Sequence, residues 1–214
     1  MEIIESYPIG DKVISERQVI ILGISINNSY FKTEKLRELI LWATDKTSKV
    51  YIMIPDKPMV HTLVATGKSL QEAERIARLK ANNLANKCEL IKKEQGLADV
   101  NIVRWGYVEQ SKDYWNTLAD ITRAYHVDHE FHDALARTTT EVLANNDQYE
   151  GMLTLEEGVQ FILQELAFIT AANRILGQEK TGYVYHKTMK VMKEIFESKY
   201  SFKPDPGTGF LTVV

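Results

Sequence analysis

VIILGISINNSYF, residues 19–31, runs from an unbroken apolar segment straight into small polar side chains. The β-branched, non-alternating run over 18–24 predicts a strand buried on both faces. It stops at Gly23, and Ser25, Asn27 and Asn28 follow where the chain leaves the core. Two readings are open at this point. Either this is an ordinary strand-to-helix turn, or Ser25 is presented there to do chemistry.

Working outward, the pattern alternates. FKTEKLRELILWATDK (31–46) predicts a helix with Leu36, Leu39, Ile40 and Ala43 on one face. KVYIMI (49–54) predicts a second buried strand, closed by Pro55. A long helix is expected from about Ser69 to Glu94, with Ser69 as N-cap and Glu72 three residues on. VNIVRW (100–105) is a third strand. Residues 111–146 are expected to be helical, with a break near His126 to His129, and 155–171 form another apolar helix. GYVYH (182–186) is a short strand, KTMKVMKEIFESKY (187–200) a helix, and GFLTVV (209–214) a last strand after Pro-Asp-Pro-Gly. Strands alternating with helices predict an α/β fold: a Rossmann-like, three-layer α/β/α arrangement with a mostly parallel sheet. A single domain over 1–214 is expected, with no repeat, low-complexity segment or linker. Ligands of such folds sit beyond the carboxyl ends of the strands. Ser25 lies at the end of an early strand, and Tyr185 and His186 at the end of a late one, so the three can meet.

Composition narrows the function classes. Hydrophobic residues are 44% and charged residues 26% of the 214, a globular balance. The net charge of −3 argues against a general nucleic-acid coat, but leaves room for a local basic patch. No apolar stretch approaches the length of a membrane span. MEIIESYPIGDK lacks the basic start and apolar run of a signal peptide, so a cytoplasmic protein is expected. The lone Cys88 cannot form an internal disulfide.

Several motifs are excluded or weak. GISINN has one glycine, so it is neither a dinucleotide fingerprint nor a phosphate loop. It also lacks the second glycine of G-x-S-x-G. HVDHEFH (126–132) spaces His126, His129 and His132 by three, but beside Asp128, Glu130 and Asp133 it reads as a solvated turn, with no metal expected. The long helix carries Arg75, Arg78, Lys80 and Lys87, with Lys68 just before it. Taken alone, a charged face of this kind is usually solvated. Glu165 is the anomaly. It lies among Leu163, Leu166 and Phe168 and shares a face with Phe161, four residues earlier. A buried carboxylate is costly unless paired. It points either outward beside Gln164 or into a cleft, where it holds a cation or proton.

Four segments together resemble the tRNA-dependent cyclodipeptide synthases. GISINNSYF is similar to that family's Gly-x-Ser-x-x-Asn-Ser stretch, and ATGKSLQEAER (65–75) to the start of its long basic helix. FILQELAF (161–168) resembles its Tyr-x-x-x-Glu helix, and YVYH (183–186) its Tyr-His strand end. The matches fall in the family's order across most of the chain. The resemblance implies a monomeric domain similar to the catalytic domain of class I aminoacyl-tRNA synthetases. It implies two aminoacyl-tRNAs consumed and a 2,5-diketopiperazine released, in a ping-pong reaction through an aminoacyl-enzyme. By resemblance, Ser25 is the nucleophile, and Glu165 grips the amino group and takes part in proton transfer. Asn28, Tyr185 and His186 match the trio that marks one family branch, with Tyr185 assisting proton relay. Ile21, Gly23, Phe168 and Tyr183 are expected to line the first side-chain pocket. Lys68, Arg75, Arg78, Lys80 and Lys87 are expected to face tRNA, on a helix less basic than the family's. One departure stands out: Phe161 sits where the family usually has tyrosine. Tyr183 or an ordered water is the expected substitute for the lost hydroxyl.

The chemistry suits these residue types. An aminoacyl-tRNA ester is already activated, so neither ATP, metal nor other cofactor is expected, only position and an activated nucleophile. A free α-amine has a pKa of about 8, so a modest base such as a raised Glu165 suffices. Ring closure, attack of an amine on a dipeptidyl ester, is intramolecular. Three rivals remain. A class I synthetase would carry HIGH-type and KMSKS-type motifs, which HKTMK (186–190) is not. A tRNA-binding module would not need Ser25, and a serine hydrolase would not need tRNA. No membrane partner is expected; a tailoring enzyme acting on the product is compatible, but nothing in the sequence identifies one.

Overall fold

The computed structural model describes residues 1–7, 19–26, 28–143 and 152–214. Six strands form one sheet in the order β1-β6-β5-β2-β3-β4. They are β1 (Ile3–Tyr7), β2 (Val19–Gly23), β3 (Val50–Ile54), β4 (Val100–Arg104), β5 (Thr181–Tyr185) and β6 (Thr208–Val213). All neighbours pair in parallel except β1, which runs antiparallel to β6. The fold is thus the expected mostly parallel α/β sheet. The helices described are α1 (Thr33–Lys46), α2 (Pro58–Ala65), α3 (Leu70–Glu94), α4 (Trp105–Val108), α5 (Lys112–Val127), α6 (His129–Leu143), α7 (Met152–Thr170), α8 (Ala172–Ile175) and α9 (Lys190–Phe196).

Strand alternation sorts the core into two layers. Ile21, Met53, Val103, Tyr183 and Phe210 face one way, against Ile121, Phe131, Leu163 and Phe168 of α5 to α7. Ile20, Leu22, Ile52, Val184 and Leu211 face the other, against Leu36 and Ile40 of α1 and the small inner edge of α3. That edge is Ala73, Ala77, Ala81, Leu84, Cys88 and Ile91, a helical period that lets a helix roughly 38 Å long lie close to the sheet. Ser69 caps it by accepting the Glu72 N–H at 3.3 Å.

Several expected boundaries move. The edge strand β1 was not expected; it carries charged Glu5 and a register irregularity between Ile3 and Glu5. Helix α2 begins with Pro58 in its first turn, where its missing N–H costs nothing, and buries Met59 and Leu63. The span expected as one helix with a break is α5 and α6, divided at Asp128; residues 144–146 lie outside the described residues. The helix expected over 187–200 is only Lys190–Phe196. Among the described residues, no helix is long and apolar enough to cross a membrane.

The topology positions the site. From β2 the chain steps outward to β3 and β4, then returns through α5 to α8 to lay β5 and β6 on the other side of β2. The strand order therefore reverses between β2 and β5. A crevice opens beyond the carboxyl ends of strands at such a reversal.

Candidate active site

Ser25 lies just past the end of β2, in that crevice. The Ile24 N–H still bonds to Met53 O at 3.2 Å, after which the chain lifts away from β3. Ser25 is half-buried. Asn28 organises the turn that follows: its Oδ1 accepts the Tyr30 N–H at 2.9 Å and its carbonyl accepts the Phe31 N–H at 3.1 Å. The first bond fixes the amide, so Nδ2 must be the atom that donates to His186 Nε2, 3.2 Å away. Nε2 is then an acceptor, and the neutral ring carries its proton on Nδ1. Among the described residues that buried Nδ1 has no hydrogen-bond partner. Burial, helped by the charge of Lys187, lowers the His186 pKa and keeps the ring neutral. Tyr30 stacks on His186 with centroids 4.3 Å apart, and Phe31 meets it edge-on at 5.2 Å.

The Tyr185 hydroxyl is engaged by the side chains of Ser25 and Asn28. Burial pushes this phenol up to about 12, Glu165 adds to the rise, and the bonds from Ser25 and Asn28 work against it. Tyr185 is therefore a neutral O–H donor near pH 7.

Glu165 turns inward from α7 toward Tyr183 and Tyr185 of β5. Its neighbour Gln164 points elsewhere, placing Nε2 3.0 Å from His61 Nε2, while His61 Nδ1 faces Glu157 at 3.0 Å. Burial raises the Glu165 carboxyl to about 8. Among the described residues it has no ion-pair partner, and it is close enough to Tyr183 and Tyr185 to raise both phenols further. Phe161, one turn earlier, packs against the inner core.

Tyr183 and Tyr185 are two apart on β5 and face the same side. Tyr183 is 5% exposed, stacked on Phe210 with centroids 6.0 Å apart and edge-on to Phe168 at 6.2 Å. Its phenol lies directly over Gly23, where any Cβ would collide with the hydroxyl and ring. The glycine thus makes room for a tyrosine of the protein itself. Ile21 and Phe168 are buried beside it.

On the opposite side of Ser25 a cavity of about 220 Å³ opens toward α3. Ser25, Asn28 and Phe31 form one wall, and Lys80, Asn83 and Lys87 the other. Arg75 and Arg78 are exposed earlier on the same helix, and Lys68 lies 3.7 Å from Glu72. His126, His129 and His132 are exposed. The turn between them belongs to Asp128, which accepts the N–H groups of Phe131 and Ser201 at 3.1 and 3.0 Å. Burial opposes ionisation there, but those bonds outweigh it and hold Asp128 below the usual carboxylate range.

The Cyclodipeptide synthase family model matches residues 9–214. The chain belongs to the cyclodipeptide synthase family. A cyclo(L-leucyl-L-leucyl) synthase of Bacillus subtilis is 24% identical over 211 residues, covering 94% of this chain and 84% of the relative. A cyclodipeptide synthase structure from Bacillus thermoamylovorans superposes with a TM-score of 0.87 at 22% identity, covering 94% of this chain and 90% of that one. A tyrosyl-tRNA synthetase structure from Archaeoglobus fulgidus shares the fold at a TM-score of 0.57 and 13% identity, covering 94% of this chain and 57% of that one. This synthase is thus a tRNA-dependent enzyme that makes cyclodipeptides from aminoacyl-tRNAs, built on a class I synthetase-like fold.

Sequence reasoning missed three residues of the synthase site. Tyr30 and Phe31 pack His186, and the aromatic pair directly after Asn28 was their signal. Asn83 lies three residues after Lys80 and four before Lys87, so helical spacing placed it on the same face.

Proposed function

We propose that the synthase works by a ping-pong route through an ester on Ser25. The Ser25 Oγ attacks the carbonyl carbon of the first aminoacyl-tRNA. The bond to the ribose oxygen breaks, and that oxygen takes the proton, relayed through the Tyr185 hydroxyl. Glu165 holds the amine of the bound residue and removes a proton from it. That amine attacks the carbonyl of the second aminoacyl-tRNA, forming the amide and releasing the second tRNA. The new terminal amine then attacks the Ser25 ester, closing the six-membered ring and restoring the serine hydroxyl. Each step exchanges one acyl bond for another, so position carries most of the catalysis.

The observation that carries this reading is the joint placement, at the strand reversal, of Ser25 against Tyr185 with an unpaired carboxyl beneath. Asn28 and His186 hold the turn that presents the serine. Ile21, Gly23, Phe168 and Tyr183 wall the inner side, and Phe161 closes it from α7. The acceptor end of the tRNA lies along α3, met by Arg75, Arg78, Lys80 and Lys87 with Lys68 at its start. Phosphate contacts of this kind give affinity without sequence preference. The enzyme acts as a monomer.

The test is early quenching of purified enzyme mixed with charged tRNA, followed by peptide mass mapping. One aminoacyl mass on the Ser25 peptide is expected, lost in Ser25→Ala, with a cyclic dipeptide in the supernatant. Product release with no adduct under rapid quench overturns the covalent route.

A further inference from the structure

We infer that the cavity between Ser25 and α3 receives the terminal adenosine of the charged tRNA, with Asn83 reading the edge of its base. This inference rests on the Ser25 route above and names the group that leaves in its first step. Attack on an ester divides the substrate at the nucleophile, with the acyl part on one side and the alcohol on the other. The alcohol here is the ribose of a nucleotide. Ser25 stands between two unlike surroundings. On one side Ile21, Phe168 and Tyr183 are packed and buried. On the other is the cavity of about 220 Å³, with Ser25 itself in the wall. Its floor is apolar, made by the buried side chains of Ile26, Phe31 and Leu84. A flat base lies well on such a floor. The outer wall is one stripe of α3, since Lys80, Asn83, Leu84 and Lys87 are spaced to share a helix face about 10 Å long. A lysine at each end attracts a phosphodiester and repels an α-ammonium. The cavity therefore suits the nucleotide end of the substrate and not the amino-acid end.

Two amides line this space, and they differ. Asn28 is committed to the turn, its Oδ1 accepting the Tyr30 N–H at 2.9 Å and its Nδ2 donating to His186 Nε2 at 3.2 Å. The Asn83 amide is exposed and makes no hydrogen bond to any described residue. An amide presents a donor and an acceptor side by side. Adenine answers with the N7 acceptor and the N6 amino donor, the pairing that asparagine makes with this base. Guanine offers two acceptors on the same edge and leaves the amide oxygen unanswered. Every aminoacyl-tRNA ends in adenosine, so the contact does not choose among tRNAs. It fixes the terminal ribose, and with it the ester, against the Ser25 hydroxyl.

The experiment uses full-length enzyme and two tRNAs charged with the amino acid found in its product. One is natural, and the other ends in purine riboside, which lacks only the 6-amino group. Acylation of Ser25 is timed by rapid quench for wild type, Asn83→Ala and Asn86→Ala. For wild type, the purine-ended tRNA is expected to lower kcat/KM about 5- to 50-fold, within the range of an asparagine–adenine pair. Asn83→Ala should show a loss of that size with natural tRNA and no further loss with the purine-ended one, because both changes remove one contact. Asn86→Ala, exposed on the same helix but outside the cavity, should match wild type with both. Alanine is the stronger helix former, so both variants keep α3 intact. Losses that multiply when the two changes are combined overturn the assignment, as does a wild type indifferent to the missing amino group or an equal loss in Asn86→Ala. In each of those cases the Ser25 adduct still forms and the covalent route stands. A wild type that releases cyclic dipeptide from natural tRNA with no adduct overturns the route and the inference together.

Discussion

At the lower rim of the sheet, Asp205 is saturated. Its Oδ1 accepts from Asn173 Nδ2 at 2.8 Å and from the Gly207 N–H at 2.9 Å, and its Oδ2 lies 2.8 Å from Arg174 Nε. Glu165 sits on the helix that ends at this rim and, among the described residues, has no cation of its own. Across Tyr185, His186 Nδ1 and the hydroxyl of the Tyr30 stacked on it are buried with no hydrogen-bond partner among the described residues. Both regions place polar groups against the same aromatic core. They differ in whether the protein supplies the carboxyl with partners: Asp205 has three, and Glu165 has no ion-pair partner among the described residues. Buried polar groups are nearly always paired, so a cluster left open marks where a ligand supplies the missing partners.

Exchanging the two carboxylates for amides tests that contrast most severely. Glu165→Gln keeps shape and removes the base, and cyclodipeptide formation is expected to fall about 10²- to 10⁴-fold. The wild-type kcat/KM should rise with pH through about 8, the range to which burial lifts Glu165, and the variant should lose that limb. Stability carries the opposite sign. The folded pKa of about 8 lies above the unfolded value, so the folded chain keeps a proton that the unfolded chain has lost. The stabilising contribution is present below pH 4, declines as pH rises, and is gone above 8. Glu165→Gln should therefore gain stability relative to wild type at pH 9 compared with pH 4, on the order of a few kcal/mol at most, read by urea unfolding at both values.

A smaller effect is expected on the wet side of Ser25. Lys80→Ala with Lys87→Ala should weaken tRNA binding and reduce the slope of log affinity against log salt by about 2, measured by titration at several salt concentrations. Unchanged salt dependence would move the tRNA off α3. At the saturated rim, Asp205→Asn should cost about 1–3 kcal/mol in urea unfolding while turnover per folded molecule is retained. The smallest response belongs to Cys88, fully buried on α3 with its thiol pushed up to about 12 by burial. Its alkylation at pH 8 in native enzyme should be negligible over hours, and Cys88→Ala should keep full activity.

The parts legible in the sequence were those governed by local pattern. Unbroken apolar runs announced β2 and β3, and the Ser69 cap with Glu72 three residues on announced the start of α3. Elements whose stability is borrowed were not legible. Strand β1 exists because β6 offers it an edge, and α2 because α3 and α7 bury it after a proline that read as a strand end. At the site, Ser25, Glu165, Tyr185 and His186 were suggested by resemblance, and topology draws Asn28 and His186 together across 158 residues. The covering of Gly23 by Tyr183 was beyond reach, since it depends on the register between β2 and β5, which no short motif encodes.

That covering has a practical reading for anyone redesigning the product. Gly23 already carries the smallest residue and any Cβ there meets the Tyr183 ring, so space on this face of β2 is opened by shortening position 183 and lost by any substitution at position 23.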